Sequence, residues 1–266
     1  MKKTFVIVGL LSILSLIFAI AASAGPSMDR IIKKGELLVG TSGAQPPMTA
    51  TTKKGELIGL DIDIAKAMGD GLGVKVKFVP MPFAKLLPAL EANKVDIILS
   101  GMTITPKRNQ KVAFVGPYYV SGKGILAVAE KYAALQDAKG LDTPEVTVAA
   151  LKNSTSQKFA ETLISKAKLI LTDSYEEAID LLIKGKIDVL VADFYFCELS
   201  AYRYQNKKLI AGESPLTFEP LGIAMTEDTL LINWTQNFVN ILKGSGKLKK
   251  MGEKWLNGGP WIDELP

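Results

Sequence analysis

The sequence predicts an α/β protein of two lobes, each a mostly parallel sheet flanked by helices. Three observations carry that expectation. Lys94-Val95-Asp96-Ile97-Ile98-Leu99-Ser100-Gly101 returns 92 positions later as Lys186-Ile187-Asp188-Val189-Leu190-Val191-Ala192-Asp193. Both copies are short, β-branched apolar runs, the pattern of a strand buried on both faces of a parallel sheet. The order strand–helix–strand–helix–strand occurs in both halves, as expected of helices packed on a parallel sheet. Finally, each copy ends on polar residues, Ser100-Gly101 in the first and Asp193 in the second. Ligands of open α/β sheets sit beyond the carboxyl ends of strands, so two such ends offer different chemistry to one small ligand.

The elements follow in order. Leu37 to Thr41 reads as a strand running into a polar loop, Ser42 to Pro47. Lys53-Lys54-Gly55-Glu56 is a hairpin-like turn. Leu60 to Met68 is a helix with Asp61 and Asp63 near its start. Val74 to Val79 alternates Val and Lys with the period of two of a strand. Phe83 to Ala92 is a helix leading into the first repeat strand, and Gly124 to Ala129 is a further strand. The pattern then restarts. Val146 to Ala150 is a strand, Asn153-Ser154-Thr155-Ser156 opens a helix to about Lys166, and Leu169 to Leu171 is a strand. Tyr175 to Lys184 is the helix that feeds the second repeat strand. Two helices close the chain, Leu230 to Leu242 and Leu248 to Trp255, separated by Gly244-Ser245-Gly246.

Composition excludes several classes. The 266 residues suffice for two domains of ordinary size. Lys2-Lys3, the apolar run Phe5 to Ile20 and Ala22-Ser23-Ala24 have the three-part pattern of a secretory signal peptide over residues 1–24, with Gly25 as the mature start. An uncleaved anchor is the alternative, because the run approaches spanning length. The chain has 32 basic and 27 acidic residues, and setting Lys2 and Lys3 aside leaves +3. That is too weak an excess for a nucleic-acid surface. The one cysteine, Cys197, forbids an intramolecular disulfide. Histidine is absent, which removes Ser-His-Asp and Cys-His catalysis and His-ligated metals. Neither a cofactor nor a metal is expected.

Three clusters carry polar chemistry. The first is Ser100 to Arg108. Gly101 admits close approach to the backbone, Thr103 supplies a hydroxyl, and Arg108 supplies a planar fork matched to a carboxylate. Thr105-Pro106 is equally an ordinary helix start, but cations in a first turn oppose the helix dipole, so Arg108 there wants an anion. The second is Asn153 to Ser156, a helix start where N–H groups and the hydroxyls of Ser154 and Thr155 suit an anion, or merely cap the helix. The third is Asp193, a carboxylate ending an apolar strand, which is costly to bury without a cation. Arg108 and Thr155 at one end and Asp193 at the other suit the carboxylate and ammonium of an α-amino acid.

Gly59-Leu60-Asp61-Ile62-Asp63-Ile64-Ala65, Leu87-Pro88-Ala89-Leu90, Lys94-Val95-Asp96, Ser100 to Arg108 and Pro117-Tyr118-Tyr119 together resemble the polar amino-acid binding proteins of ABC uptake systems, family 3 of the periplasmic solute-binding proteins. The resemblance covers the mature chain. It implies a type II periplasmic binding protein fold that closes on a hinge over an L-amino acid and delivers it to an inner-membrane permease, as a periplasmic monomer without a nucleic-acid partner. By motif match it places carboxylate contacts on Thr103, Arg108 and Thr155, ammonium contacts on Gly101 and Asp193, and ring packing on Phe83. Two departures fall where the ligand side chain would be read. Gln45 stands where many relatives carry an aromatic residue, and Ser42 where binders of cationic side chains often carry Asp. The missing acid argues against Lys or Arg as ligand, and Gln45 for a neutral polar group or for a pocket lined differently. Lobe crossings are expected near Tyr119 to Lys123 and Phe218 to Gly222, giving lobe 1 as 25–121 plus 220–266 and lobe 2 as 122–219. The rival of another class is a cyclohexadienyl dehydratase on the same fold. Its general-acid Glu is expected three residues after the strand-end Asp, where this chain has Phe196, an apolar group that transfers no proton. A receptor sensor domain is a third reading, disfavoured because no transmembrane or kinase segment follows.

Overall fold

A computed structural model describes residues 26–135 and 137–266. The expected signal peptide lies outside the described residues. Two five-stranded sheets form the centres of two lobes, the type II binding-protein architecture. The first half begins with α1 (Pro26–Lys34), β1 (Glu36–Thr41), β2 (Ala44–Gln45), β3 (Thr49–Thr51), β4 (Leu57–Ile58), α2 (Leu60–Leu72), β5 (Lys75–Pro80), α3 (Phe83–Glu91), β6 (Ile97–Ile98) and β7 (Ala113–Ser121). The second contains β8 (Lys123–Ala127), α4 (Glu130–Ala133), β9 (Thr147–Leu151), α5 (Thr155–Leu163), β10 (Lys168–Thr172), α6 (Tyr175–Ile183), β11 (Val189–Asp193), α7 (Phe194–Arg203) and β12 (Ile210–Ala211). β13 (Glu219–Met225), α8 (Thr229–Gly244) and α9 (Lys247–Leu256) complete the chain.

Strand order is β5-β1-β6-β13-β7 in one sheet and β10-β9-β11-β8-β12 in the other. β13 therefore rejoins the first sheet after the second has been built. The chain passes between the sheets at the β7–β8 junction and on the way into β13. The sequence predicts mostly parallel sheets. The parallel ladders are there, β5-β1-β6 and β10-β9-β11, but each sheet also carries antiparallel ladders, formed by β13 and β7 in one and β8 and β12 in the other.

The sequence repeat has a structural meaning. Asp96 Oδ2 accepts the Leu38 N–H at 2.7 Å, while the Asp96 N–H donates to Leu38 O. Asp188 does the same in the second lobe, accepting the Thr147 N–H at 2.8 Å and donating to Thr147 O. In each lobe the Lys-x-Asp segment thus secures the neighbouring strand near its start, with side chain and backbone together. Arg30 adds an ion pair to Asp96. The apolar positions follow the pleat, since successive side chains alternate between faces. Leu126, Leu190 and Ala192 enter the main core, while Ile125, Val189 and Val191 enter a second cluster on the opposite face. β5 is an edge strand with Lys75 and Lys77 exposed, which blunts edge pairing. Asp228 holds two helices at once. Its Oδ1 caps α8 through the Leu231 N–H, and its Oδ2 takes the Ser27 and Met28 N–H groups at the start of α1.

Candidate functional site

The site forms where strand ends of the two lobes face each other. After β6 the chain turns at Gly101, whose φ of 58° is left-handed and suits glycine. A Cβ there would meet the Tyr195 hydroxyl at 2.8 Å and Gln45 Nε2 at 3.0 Å. The turn is held from behind by Asp61, in the first turn of α2, whose Oδ2 accepts the Gly101 N–H at 2.6 Å. Asp61 is fully buried and its Oδ1 accepts no hydrogen bond. Burial raises its pKa to about 7, against the lowering effects of the Gly101 N–H and the Tyr118 hydroxyl. Thr103 is pinned to the crossing strand, since Ile104 N–H donates to Pro220 O and Gly222 N–H to Met102 O.

Arg108 reaches back from its 3-10 turn across the cleft mouth. It donates to Thr103 O at 2.9 Å and to Asn153 O, in the opposite lobe, at 3.2 Å. Its guanidinium lies over the Phe83 ring at 5.7 Å, a cation–π distance. Burial pushes its pKa down, and the Glu219 and Asp193 carboxylates pull it back up. The Thr103 and Thr155 hydroxyls face each other across the lobes at 3.4 Å. Thr155 is the first residue of α5. The Ser154 hydroxyl is committed to the cap, donating to Leu151 O at 2.6 Å and accepting the Gln157 N–H at 3.1 Å.

Asp193 lies at the opposite pole, buried at the end of β11. Its Oδ2 accepts the Gln45 amide at 2.5 Å and the Tyr195 hydroxyl at 3.2 Å. Gln45 comes from the first lobe and also donates to the Tyr195 oxygen at 2.6 Å. Lys123 Nζ lies 2.5 Å from Asp193 Oδ1. Ser42 stands nearby, its N–H donating to Ser100 Oγ and its Oγ accepting from the Ser100 hydroxyl. Ser42, Gln45 and Phe83 line a cavity of about 340 Å³ together with Met81, Leu151 and Tyr175. Asp173 sits on its rim, paired to Lys152 at 2.9 Å.

The geometry therefore brings together Gly101, Gln45 and Asp193, and separately Thr103, Thr155, Arg108 and Phe83. Ser42 joins Gln45 and Phe83 in the cavity wall. Sequence reasoning missed Lys123, Asp61, Tyr195 and Glu219 as members of the site. Lys123 had a visible signal, a lone cation between two glycines at the head of an apolar strand, and Asp61 had its place in an otherwise apolar helix start. Among the described residues no cluster of Cys, Asp and Glu is arranged to hold a metal ion.

A two-lobed α/β fold, with Arg108 brought to the cleft by a 3-10 turn of one lobe and Asp193 by a strand end of the other, is the architecture of a cleft-type solute-binding protein. The profile of the bacterial extracellular solute-binding proteins, family 3, matches residues 37–258, and the chain belongs to that family. Cyclohexadienyl dehydratase of Pseudomonas aeruginosa is 26% identical over 96% of both chains. The ABC transporter arginine-binding protein 1 of Escherichia coli is 29% identical over 82% of this chain and 89% of its own. Among solved structures, the putative ABC-transporter binding component of Wolinella succinogenes complexed with lysine is 34% identical with a TM-score of 0.82, covering 86% of this chain and 99% of that one. An ancestral amino acid-binding protein, a precursor of cyclohexadienyl dehydratase, is 36% identical with a TM-score of 0.79 and the same coverage.

Proposed function

We propose that this chain is an extracytoplasmic solute-binding protein that closes over one L-amino acid and hands it to an ABC permease. The observation that carries the reading is the polarity of the cleft: a guanidinium with two threonine hydroxyls at one end, a buried carboxylate at the other. Arg108, Thr103 and the α5 start at Ser154 and Thr155 take the ligand carboxylate. Asp193 and the Gly101 backbone take the ammonium. Phe83, Ser42 and Gln45 bound the side chain. Charge-assisted hydrogen bonds contribute roughly 1.5–3 kcal/mol each, so three or four, less the costs of association and closure, suffice for the ~8 kcal/mol of micromolar binding. Residues 25–121 with 220–266 form one rigid lobe and 122–219 the other, and the two crossing strands act as the hinge. The protein works as a periplasmic monomer after loss of residues 1–24.

Ser42 and Gln45 favour a neutral polar side chain. A second reading, a cationic side chain, is supported by Asp173 on the cavity rim and by relatives named for arginine or bound to lysine. The binding-protein reading is preferred to an enzyme because Phe196 stands at the position expected of a general acid. It is buried and stacked on Tyr175 at 4.2 Å between ring centroids. A thermal-shift screen over the twenty amino acids tests the whole reading, since a ligand at 100 times its dissociation constant stabilises by ~2.7 kcal/mol. Arg108→Ala removes two charge-assisted bonds and lowers affinity by roughly 100-fold or more. Wild-type affinity in that variant refutes the site, and product release from prephenate or arogenate refutes the non-enzymatic reading.

A further inference from the structure

The amino-group end of the cleft already holds a cation. Lys123 is 1% exposed, and its Nζ lies 2.5 Å from Asp193 Oδ1 and 3.6 Å from Glu219 Oε2. Burying a lysine is costly unless its charge is matched, and here two carboxylates face it. Their oxygens are not equally engaged. Both Asp193 oxygens are taken, Oδ1 by Lys123 and Oδ2 by Gln45 and Tyr195. Glu219 Oε1 accepts from the Thr217 hydroxyl at 3.3 Å, but the buried Oε2 accepts no hydrogen bond. A shift of Nζ by about 0.8 Å would bring it within hydrogen-bond distance of that oxygen.

The exchange spans the crossing between lobes. Lys123 opens β8 immediately after the first crossing, and Glu219 opens β13, paired in register with Ser121 at the end of β7. The Lys123 N–H also donates to Thr217 Oγ1, the hydroxyl that holds Glu219. Arg108 and Lys123 face Asp193 and Glu219, two cations against two carboxylates.

We propose that Lys123 is a positioning residue that sets the amino-group specificity of the cleft. It is a resident counter-ion of Asp193 that moves onto Glu219 when a ligand ammonium arrives. The proposal rests on the amino-acid reading above and deepens it. An arriving ammonium meets an Asp193 whose charge is already neutralised, so its gain is small. The wild-type cleft accordingly distinguishes poorly between an amino acid and the same acid without its α-amino group. Glu219, 3.6 Å from the Lys123 ammonium, limits the penalty by receiving it.

Calorimetry tests this with L-lysine against 6-aminohexanoate and L-glutamine against 4-carbamoylbutanoate, using the wild-type protein, Lys123→Met, Glu219→Gln and the double variant. In the wild type each pair differs by less than tenfold. Lys123→Met binds the amino acids at least tenfold tighter and widens each ratio by that factor. Glu219→Gln weakens the amino acids about tenfold relative to their deaminated partners, and leaves that ratio unaltered once Lys123 is Met. A purely structural Lys123 predicts instead that amino acid and deaminated acid weaken together, and that result overturns the proposal. So does a Glu219→Gln effect of equal size in both backgrounds. If circular dichroism shows Lys123→Met unfolded, Glu219→Gln decides alone: equal action on both members of a pair overturns the inference. If no amino acid binds the wild-type protein, the proposed function and this inference fall together, whereas binding without the predicted ratios refutes only Lys123.

Discussion

Asp61 makes stability depend on pH in a direction opposite to that of most carboxylates. Its pKa rises from 3.8 to about 7 because burial disfavours the anion more than the Gly101 N–H and the Tyr118 hydroxyl favour it. Between those two values the folded state binds more protons than the unfolded state. Stability from this group is therefore fully present below about pH 4 and is lost as the pH rises through 7. A shift of about 3 units at 1.36 kcal/mol per unit corresponds to about 4 kcal/mol. Asp61→Asn tests the point. The amide keeps an oxygen for the Gly101 N–H, fits the same space and does not titrate. Urea unfolding of both proteins at pH 5 and pH 8, compared as a double difference, cancels the remaining carboxylates. Because the unfolded carboxyl already ionises near pH 4, the advantage of the variant over the wild type should grow by about 2–3 kcal/mol from pH 5 to pH 8, the share of the ~4 kcal/mol that falls between those values. Equal pH slopes for the two proteins would refute an ionising, buried Asp61. So would a variant destabilised at both pH values, which would make the second Asp61 oxygen essential.

Two further consequences follow from named contacts. Asp228→Ala strips the acceptor from the Ser27, Met28 and Leu231 N–H groups, so two helix starts lose their cap and thermal unfolding should report a loss of about 2–4 kcal/mol; a change below 0.5 kcal/mol would mean that water replaces the carboxylate. Gly101→Ala imposes a φ of 58° on a residue with a Cβ and drives that carbon into the Tyr195 hydroxyl. It should cost about 1–3 kcal/mol in stability and weaken amino-acid binding in calorimetry, because the Asp193–Tyr195–Gln45 cluster must open. Unchanged binding would place the ligand away from Gly101.

The strand and helix order was legible because it follows hydrophobic periodicity within each half, and the repeated Lys-x-Asp segment marked equivalent places in the two sheets. The repeat overstated β6, however. The sequence reads as a long strand, but the ladder spans only Ile97–Ile98, while its twin β11 runs through Val189–Asp193. The antiparallel strands were harder to see, because β13 enters the first sheet from about a hundred residues beyond β7 and pairing partners so distant leave no local pattern. The same holds for the site. Arg108, Thr155 and Asp193 announced themselves by residue type at strand and helix ends. Lys123 read only as the end of a crossing, because both carboxylates that neutralise it, Asp193 and Glu219, come from elsewhere in the chain. Gln45 read as a side-chain selector, yet its amide bonds Asp193.

That contact alters how the cleft is understood. Every polar pole already has a protein substitute for what a ligand would bring. The Gln45 amide and Lys123 ammonium stand on Asp193, and the carbonyls of Thr103 and Asn153 stand on Arg108. Two of these contacts, Gln45 to Asp193 and Arg108 to Asn153, join one lobe to the other. A ligand therefore exchanges contacts rather than adding them, and only the difference counts toward affinity. Selectivity then depends on which substitute is easiest to displace. A neutral amide such as Gln45 leaves Asp193 at the cost of hydrogen bonds, whereas Lys123 can leave only if Glu219 receives its charge. On the proposed amino-acid reading, the ammonium end of the cleft is thus governed by two residues of the crossing strands, and the carboxylate end by one arginine anchored to backbone.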